Sequence, residues 1–195
     1  FKQKTAYEIP KRDWSSDVCS SDLASFSDTQ ISALRATQIA ALTLTEIKGF
    51  SASDIDALTA TQFKGFSGTQ IASFSTTQFA ALTATRIGAL SLSQVAGLTA
   101  TNIAGLSTTQ IPGLTKVQLA SLTTSQIKAI EATDIAALTT TQVGALLGIQ
   151  TAALSTTQVK AFTSSQIGAL SDSAVKTLTA TSIKDRKSTR LNSSH

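Results

Sequence analysis

Residues 27–58 read SDTQISAL RATQIAAL TLTEIKGF SASDIDAL, and this eight-residue pattern decides how most of the chain folds. Nineteen full copies follow one another without insertion or deletion, the last being SDSAVKTL at residues 171–178. Partial copies flank them, ASF at residues 24–26 and TATSI at residues 179–183. Self-similarity at a short fixed period marks a repeat architecture, in which each unit buries its apolar groups only against neighbouring units. With Ser27 as position 1 of octad 1, every residue of the array has an octad number and a position number.

Position 8 is Leu, Phe or Ile in every copy, and position 5 is Ile, Val, Phe or Leu except at Thr151. These two positions are the expected core. Position 7 is always small, with Thr177 the largest, and position 3 is Ser or Thr except at Val117 and Ile149. Positions 2 and 6 vary freely, and position 6 carries Lys48, Asp56, Lys64, Lys128, Lys160 and Lys176, which implies exposure.

Position 1 is Ser or Thr except at Arg35, Glu131 and Leu147, and position 4 is mostly Gln, with Glu46, Asp54 and Asp134 as related choices. Ser or Thr followed three residues later by Gln or Glu is a capping box, in which the hydroxyl accepts from the position 4 N–H and the amide oxygen accepts from the position 1 N–H. The preceding position 8 Leu and the position 5 Ile then form a hydrophobic staple. Each octad therefore reads as a helix start. A single continuous helix is excluded, because eight residues advance the apolar stripe by about 80° per repeat and would wind it around the surface.

The expected fold is an all-α repeat, a solenoid or superhelix of very short capped helices, one per octad. Helices of roughly one and a half turns are unstable alone, so stacking must hold them. On one such turn positions 1, 5 and 8 share a face, and the small 3/7 face is expected to let a neighbour approach closely. Gly at position 7, as in Gly49, Gly65, Gly97, Gly105 and Gly113, is expected to help at bends by tolerating positive φ. The alternative is a β-solenoid with 16-residue coils, since Thr and Ile favour strands. Against it, the 3 and 5 spacing of the apolar positions breaks two-residue alternation. Pro112 at position 6 removes an N–H from either architecture. The copy LGIQTAAL, with Leu147, Ile149 and Thr151 out of pattern, reads as a local defect rather than a site.

The two ends differ in kind from the array. Cys19, Trp14, Tyr7 and His195 occur once each, and all lie outside it. DRKSTRLNSSH at residues 185–195 can be back-translated into DNA whose reverse complement, one frame over, encodes DWSSDVCSSD, the string at residues 13–22. Both ends resemble translated sequencing adapter. The expected organisation is thus residues 1–23 adapter-derived and non-native, 24–183 the octapeptide-repeat array, and 184–195 adapter-derived and non-native.

Formal net charge is +4 for the whole chain, but four Lys and Arg lie in the first 23 positions and four from Lys184 onward. The array itself holds eight basic and seven acidic residues, so no nucleic-acid partner or anionic membrane is expected from charge. No run of about 18 apolar residues predicts membrane insertion.

Residues 24–183 contain neither His nor Cys. Asp54 and Asp56 are the only close acidic pair, and i and i+2 do not face each other on a helix, so they are expected to be a solvated surface pair. Ser and Thr abound without a base to activate them and are better explained as caps. No catalytic, cofactor-binding or metal-ligating residue is expected, and no cofactor.

The Thr-x-Thr spacing at Thr59 and Thr61, Thr83 and Thr85, and Thr99 and Thr101 raises one further reading, since ranked threonines can template ordered water on ice. The stretch LTTTQVGAL at residues 138–146 is similar to the helix start of TAL-effector repeats, over the cap alone. Residues 24–183 as a whole resemble octapeptide Thr/Ala/Gln/Leu arrays of large secreted or surface proteins of Gram-negative bacteria, which are adhesin-like. That resemblance implies an extracellular or cell-surface stalk, spacer, scaffold or adhesive segment, with surface or self-association partners. The calcium-binding Gly/Asp nonapeptides of many such proteins do not occur in this sequence, and calcium is not expected. The alternative function is a ligand-binding module, for carbohydrate or an ice surface, using exposed Thr and variable positions. All seven Phe of the array fall at positions 5 or 8, where core packing is their expected role.

Overall fold

A computed structural model describes residues 26–178 of the chain. The stretches expected to be adapter-derived lie outside the described residues. Every octad from residues 27–34 to 163–170 forms one short helix, and residues 172–178 are helical as well. The α-helices of octads 1 to 10 and 12 to 18 are four to six residues long, and there is no strand among the described residues. The protein is an all-α repeat solenoid, not a β-solenoid. The octad fails as a strand because its core positions are spaced for helical turns and because position 4 caps a helix in almost every copy.

The chain divides into two compact units, Phe1–Gly97 and Leu98–His195. In the first, helix Asp28–Ser32 packs on Ala52–Ala57, Ala36–Ala40 on Ala60–Phe63, Ala52–Ala57 on Thr76–Ala80 and Gly68–Ala72 on Leu92–Gly97. In the second, Ala100–Ala104 packs on Thr124–Ala129, Lys116–Ser121 on Thr140–Val143 and Thr140–Val143 on Ser164–Ala169. In each case the partner lies three octads along the chain. Within each unit the helices therefore stack in coils of more than three octads, and the contacts repeat with the sequence.

The local geometry of one octad explains its length. Position 1 is extended, for example Thr59 at φ −75° and ψ 160°, and its carbonyl accepts from the position 5 N–H, as Ile31 N to Ser27 O at 3.0 Å. Positions 7 and 8 close the turn by shorter bonds to positions 4 and 5, as Ala33 N to Gln30 O at 3.2 Å and Leu34 N to Ile31 O at 3.1 Å. Position 8 is then extended again, Leu58 having φ −67° and ψ 135°. Two consecutive extended residues thus make each bend. Position 7 stays right-handed, with Gly49 at φ −74° and Gly105 at φ −83°. The expectation that glycine at position 7 supplies positive φ is overturned.

Some of these glycines are needed for close approach instead. A Cβ on Gly97 would lie 2.6 Å from the Cα of Gly68, and one on Gly68 would lie 2.7 Å from Ser93 O. A Cβ on Gly65 would collide with the backbone of Ala36. The close contact therefore joins position 2 of one octad to position 7 of the octad three further on. Position 3, expected to share it, is exposed in every octad, while position 2 is often half-covered. Position 6 is mostly exposed, as expected.

Positions 5 and 8 form the core, with Ile31, Ile39, Ile47 and Ile55 fully buried in the first unit and Ile103, Ile111 and Leu119 in the second. Phe63, Phe66 and Phe74 meet edge to face at centroid distances of 5.2, 6.1 and 5.3 Å, a favourable geometry for aromatic quadrupoles. Pro112 is accommodated by tightening octad 11 into a 3-10 turn at Ile111–Gly113, with the proline itself exposed.

Candidate functional surface

The polar residues of each octad fall into an inner and an outer set. Position 4 is the inner one. The capping boxes are present as expected: Gln62 Oε1 accepts from Thr59 N at 2.7 Å, and Thr59 Oγ1 accepts from Gln62 N at 3.3 Å. What the capping pattern does not reveal is the other end of the same amide. Gln62 Nε2 donates to Ile31 O at 3.0 Å, Ser32 O at 3.0 Å and Leu34 O at 2.7 Å, four octads earlier. Gln70, Gln78 and Gln94 repeat this in the first unit, and Gln142, Gln150, Gln158 and Gln166 in the second.

A helix leaves its last carbonyls without intrahelical partners, and a short helix has little else. Each glutamine therefore caps two helices, the N-terminus of its own and the C-terminus of the one four octads before. Both roles place the amide inside, and these side chains are 2 to 5% exposed. Buried amides are stable only when both ends are bonded. No buried side-chain nitrogen or oxygen among the described residues lacks a partner.

The exceptions at position 4 follow the same logic. Arg86 has no acceptor to offer and forms no capping box, although Thr83 Oγ1 still accepts from its N–H at 3.3 Å. Its guanidinium donates instead to Asp56 O, to Leu58 O at 2.9 Å and to Asp56 Oδ1 at 2.8 Å. Those two carbonyls are at positions 6 and 8, four octads back. Glu46 and Asp54 keep the acceptor half of the box: Glu46 Oε2 accepts from Thr43 N at 2.6 Å and Asp54 Oδ2 from Ser51 N at 2.7 Å. Asp54 and Asp56 are not the solvated pair expected from sequence. Asp54 is buried as a cap, and only Asp56 lies at the surface, paired with Arg86.

Octad 14 is different. Glu131 replaces the capping hydroxyl and forms no side-chain cap, and Asp134 is 2% exposed. Burial, and then the charge of Glu131, push the Asp134 carboxyl above its ordinary range.

Octad 16, LGIQTAAL, is not a defect. Thr151 is fully buried at position 5, and its hydroxyl contacts Thr177 Oγ1 at 2.6 Å, Gly148 O at 3.1 Å and Ala174 O at 3.3 Å. Thr177 is the one bulky residue at position 7, and it lies beside Gly148, where a Cβ would meet its methyl at 3.7 Å, an ordinary contact. Two departures from pattern, Thr151 and Thr177, thus meet through their hydroxyls.

The outer set is positions 1 and 3, exposed in all nineteen octads. Position 1 hydroxyls are occupied as caps wherever they occur in a box, while position 3 hydroxyls project from the array. Val117, Leu147 and Ile149 interrupt this polar surface with apolar groups at least half exposed. No group of three or more His, Cys, Asp or Glu suited to a metal ion exists among the described residues. No helix among them is long and apolar enough to cross a membrane. No family model, curated protein or solved structure matches this chain.

Proposed function

We propose that the array is a non-catalytic structural or adhesive repeat segment, a stalk, spacer or scaffold, of a larger secreted or cell-surface protein. One observation carries this reading: the recurring polar side chains, the capping hydroxyls and the position 4 amides, are committed to holding octads together. A site needs polar groups that converge on something outside the fold, and these converge inward. The near-neutral charge of residues 24–183 supports a reading without nucleic acid, and nothing in it calls for a cofactor or catalytic metal.

The test is to insert one or two consensus octads into the middle of the array within its parent protein. A spacer tolerates the insertion with unchanged stability per octad and a proportionate gain in far-UV helical signal. Loss of folding or of surface display would refute it.

The uninterrupted exposure of positions 1 and 3 favours one second reading, a ligand-binding module for carbohydrate or ice. Glycan binding or inhibition of ice recrystallisation by the unmodified protein, abolished by replacing position 3 threonines with lysine, would establish it over the spacer.

A further inference from the structure

In the second unit one seam sets a carboxyl where the others set an amide or, at Ala174, no polar side chain at all. Eight glutamines with both carbonyls served set the rule: the amide nitrogen at position 4 serves carbonyls 28 and 31 residues earlier, as Gln142 serves Leu114 at 2.6 Å and Ile111 at 3.1 Å. In octad 14 the same register aims position 4 at Leu106 and Ile103, but the residue is Asp134. An ionised carboxylate has acceptors only. It cannot donate to carbonyls, and in that register, on a side chain only 2% exposed, it would set negative charge near their oxygen dipoles. Glu46 and Asp54 do not meet this cost, because no described octad lies four before theirs, and each also accepts from the N–H of a capping Thr or Ser. Asp134 faces Glu131 at that point and has no such box.

We propose that the seam between octads 10 and 14 is an acid-strengthened joint, weakest at neutral pH, where Asp134 is a buried carboxylate opposite backbone carbonyls, and tightened when Asp134 takes up a proton. The charged neighbours are few. Glu131 lies on the same octad and opposes ionisation. Octads 10, 11 and 15 contain no titratable side chain. Octads 13 and 17 bring only Lys128 and Lys160, both exposed at position 6. Because the folded-state pKa of Asp134 lies above the ordinary 3.8, folding favours the protonated form. The stabilisation is complete below that ordinary value and is lost as the pH rises through the raised one. Most acidic groups in folded proteins behave in the opposite sense.

The experiment compares the full chain with Asp134→Asn, which stays neutral at every pH, and with Asp134→Gln, which restores the repeat consensus. Hydrogen exchange at the amides of octads 10 and 14 is followed from pH 7 to pH 4, corrected for intrinsic rates. The expected result is that wild-type protection, divided by that of Asp134→Asn, rises by about threefold or more as the pH falls. Octads 1 to 4 should show no such change, and Asp134→Gln should be the best protected of the three at pH 7. Parallel pH profiles for wild type and Asp134→Asn would overturn the proposal. So would Asp134→Gln protecting octad 10 no better than wild type at neutral pH.

Discussion

Replacing Gln142 by Glu separates the two roles of position 4, because glutamate preserves one and destroys the other. As a capping-box acceptor Glu serves as well as Gln, and near a helix N-terminus its charge is favourable by about 0.3–1 kcal/mol. If the box were the whole role, Gln142→Glu would be neutral or stabilising. In the structure, however, Gln142 Nε2 also donates to Ile111 O and Leu114 O, and the side chain is 3% exposed. Two hydrogen bonds at about 0.5–1.5 kcal/mol each are lost. An unpaired charge is buried beside the two acceptors left behind, which adds about 1–3 kcal/mol. The expected loss is about 2–5 kcal/mol, concentrated in octads 11 and 15. Gln30→Glu is the control. Its box is intact, with Ser27 N to Oε1 at 2.9 Å, and no described octad lies four before it, so a change within about 0.5 kcal/mol is expected. Solenoids need not unfold in one step, so the readout is residue-resolved hydrogen exchange beside guanidinium denaturation by circular dichroism. Equal stability of Gln142→Glu and wild type at neutral pH would refute the double-capping account.

Glycine substitutions test the close approach of positions 2 and 7. Gly97→Ala should cost more than about 1 kcal/mol, the scale of a forced overpacking, because its Cβ meets backbone, whereas Gly168→Ala meets nothing within 4 Å and should stabilise by about 0.4–1 kcal/mol. Thr151→Val and Thr177→Ala should each destabilise by about 0.5–1.5 kcal/mol, and a double-mutant cycle should show coupling between them; additive losses would mean that the 2.6 Å hydroxyl contact contributes nothing. Asp56→Ala should change stability by less than about 1 kcal/mol, since its side chain is 67% exposed, while Arg86→Ala, which also abandons the Leu58 carbonyl, should cost distinctly more by thermal melting.

The helix-per-octad fold was legible because it rests on local rules. A cap, its partner three residues on and apolar groups at positions 5 and 8 each act within one octad, and Ile31, Leu34 and their equivalents as far as Leu154 are buried where that pattern puts them, whereas Phe162 is half-covered and Ile167 exposed. What stayed hidden was everything that depends on which octads become neighbours. Gln62 announces its cap through Thr59, but nothing near it in sequence announces Leu34. The position 3 hydroxyls and the position 7 glycines were misassigned for the same reason, since the tilt of one helix on the next decides which small residue meets which. One clue was available: a carboxylate caps as well as an amide, so the strong preference for Gln over Glu at position 4 already asked for a donor. The pairing of Thr151 with Thr177 left a fainter trace, two exceptions at different positions three octads apart. As to a candidate site, the sequence shows Glu131 in the capping place three residues before Asp134, but not the burial of Asp134, which arises from packing between octads.

The reach of each glutamine to the fourth octad behind it has a consequence for how such an array can grow. An added octad finds its acceptors already in place and offers its own carbonyls to an octad not yet made, so the last unit is always both a finished end and a template. Length is then a free variable. Slippage or recombination of the gene in whole-octad steps would lengthen or shorten the protein without a new fold having to be found, whereas insertion or deletion of a single residue would put the caps of the next four octads out of phase with their carbonyls.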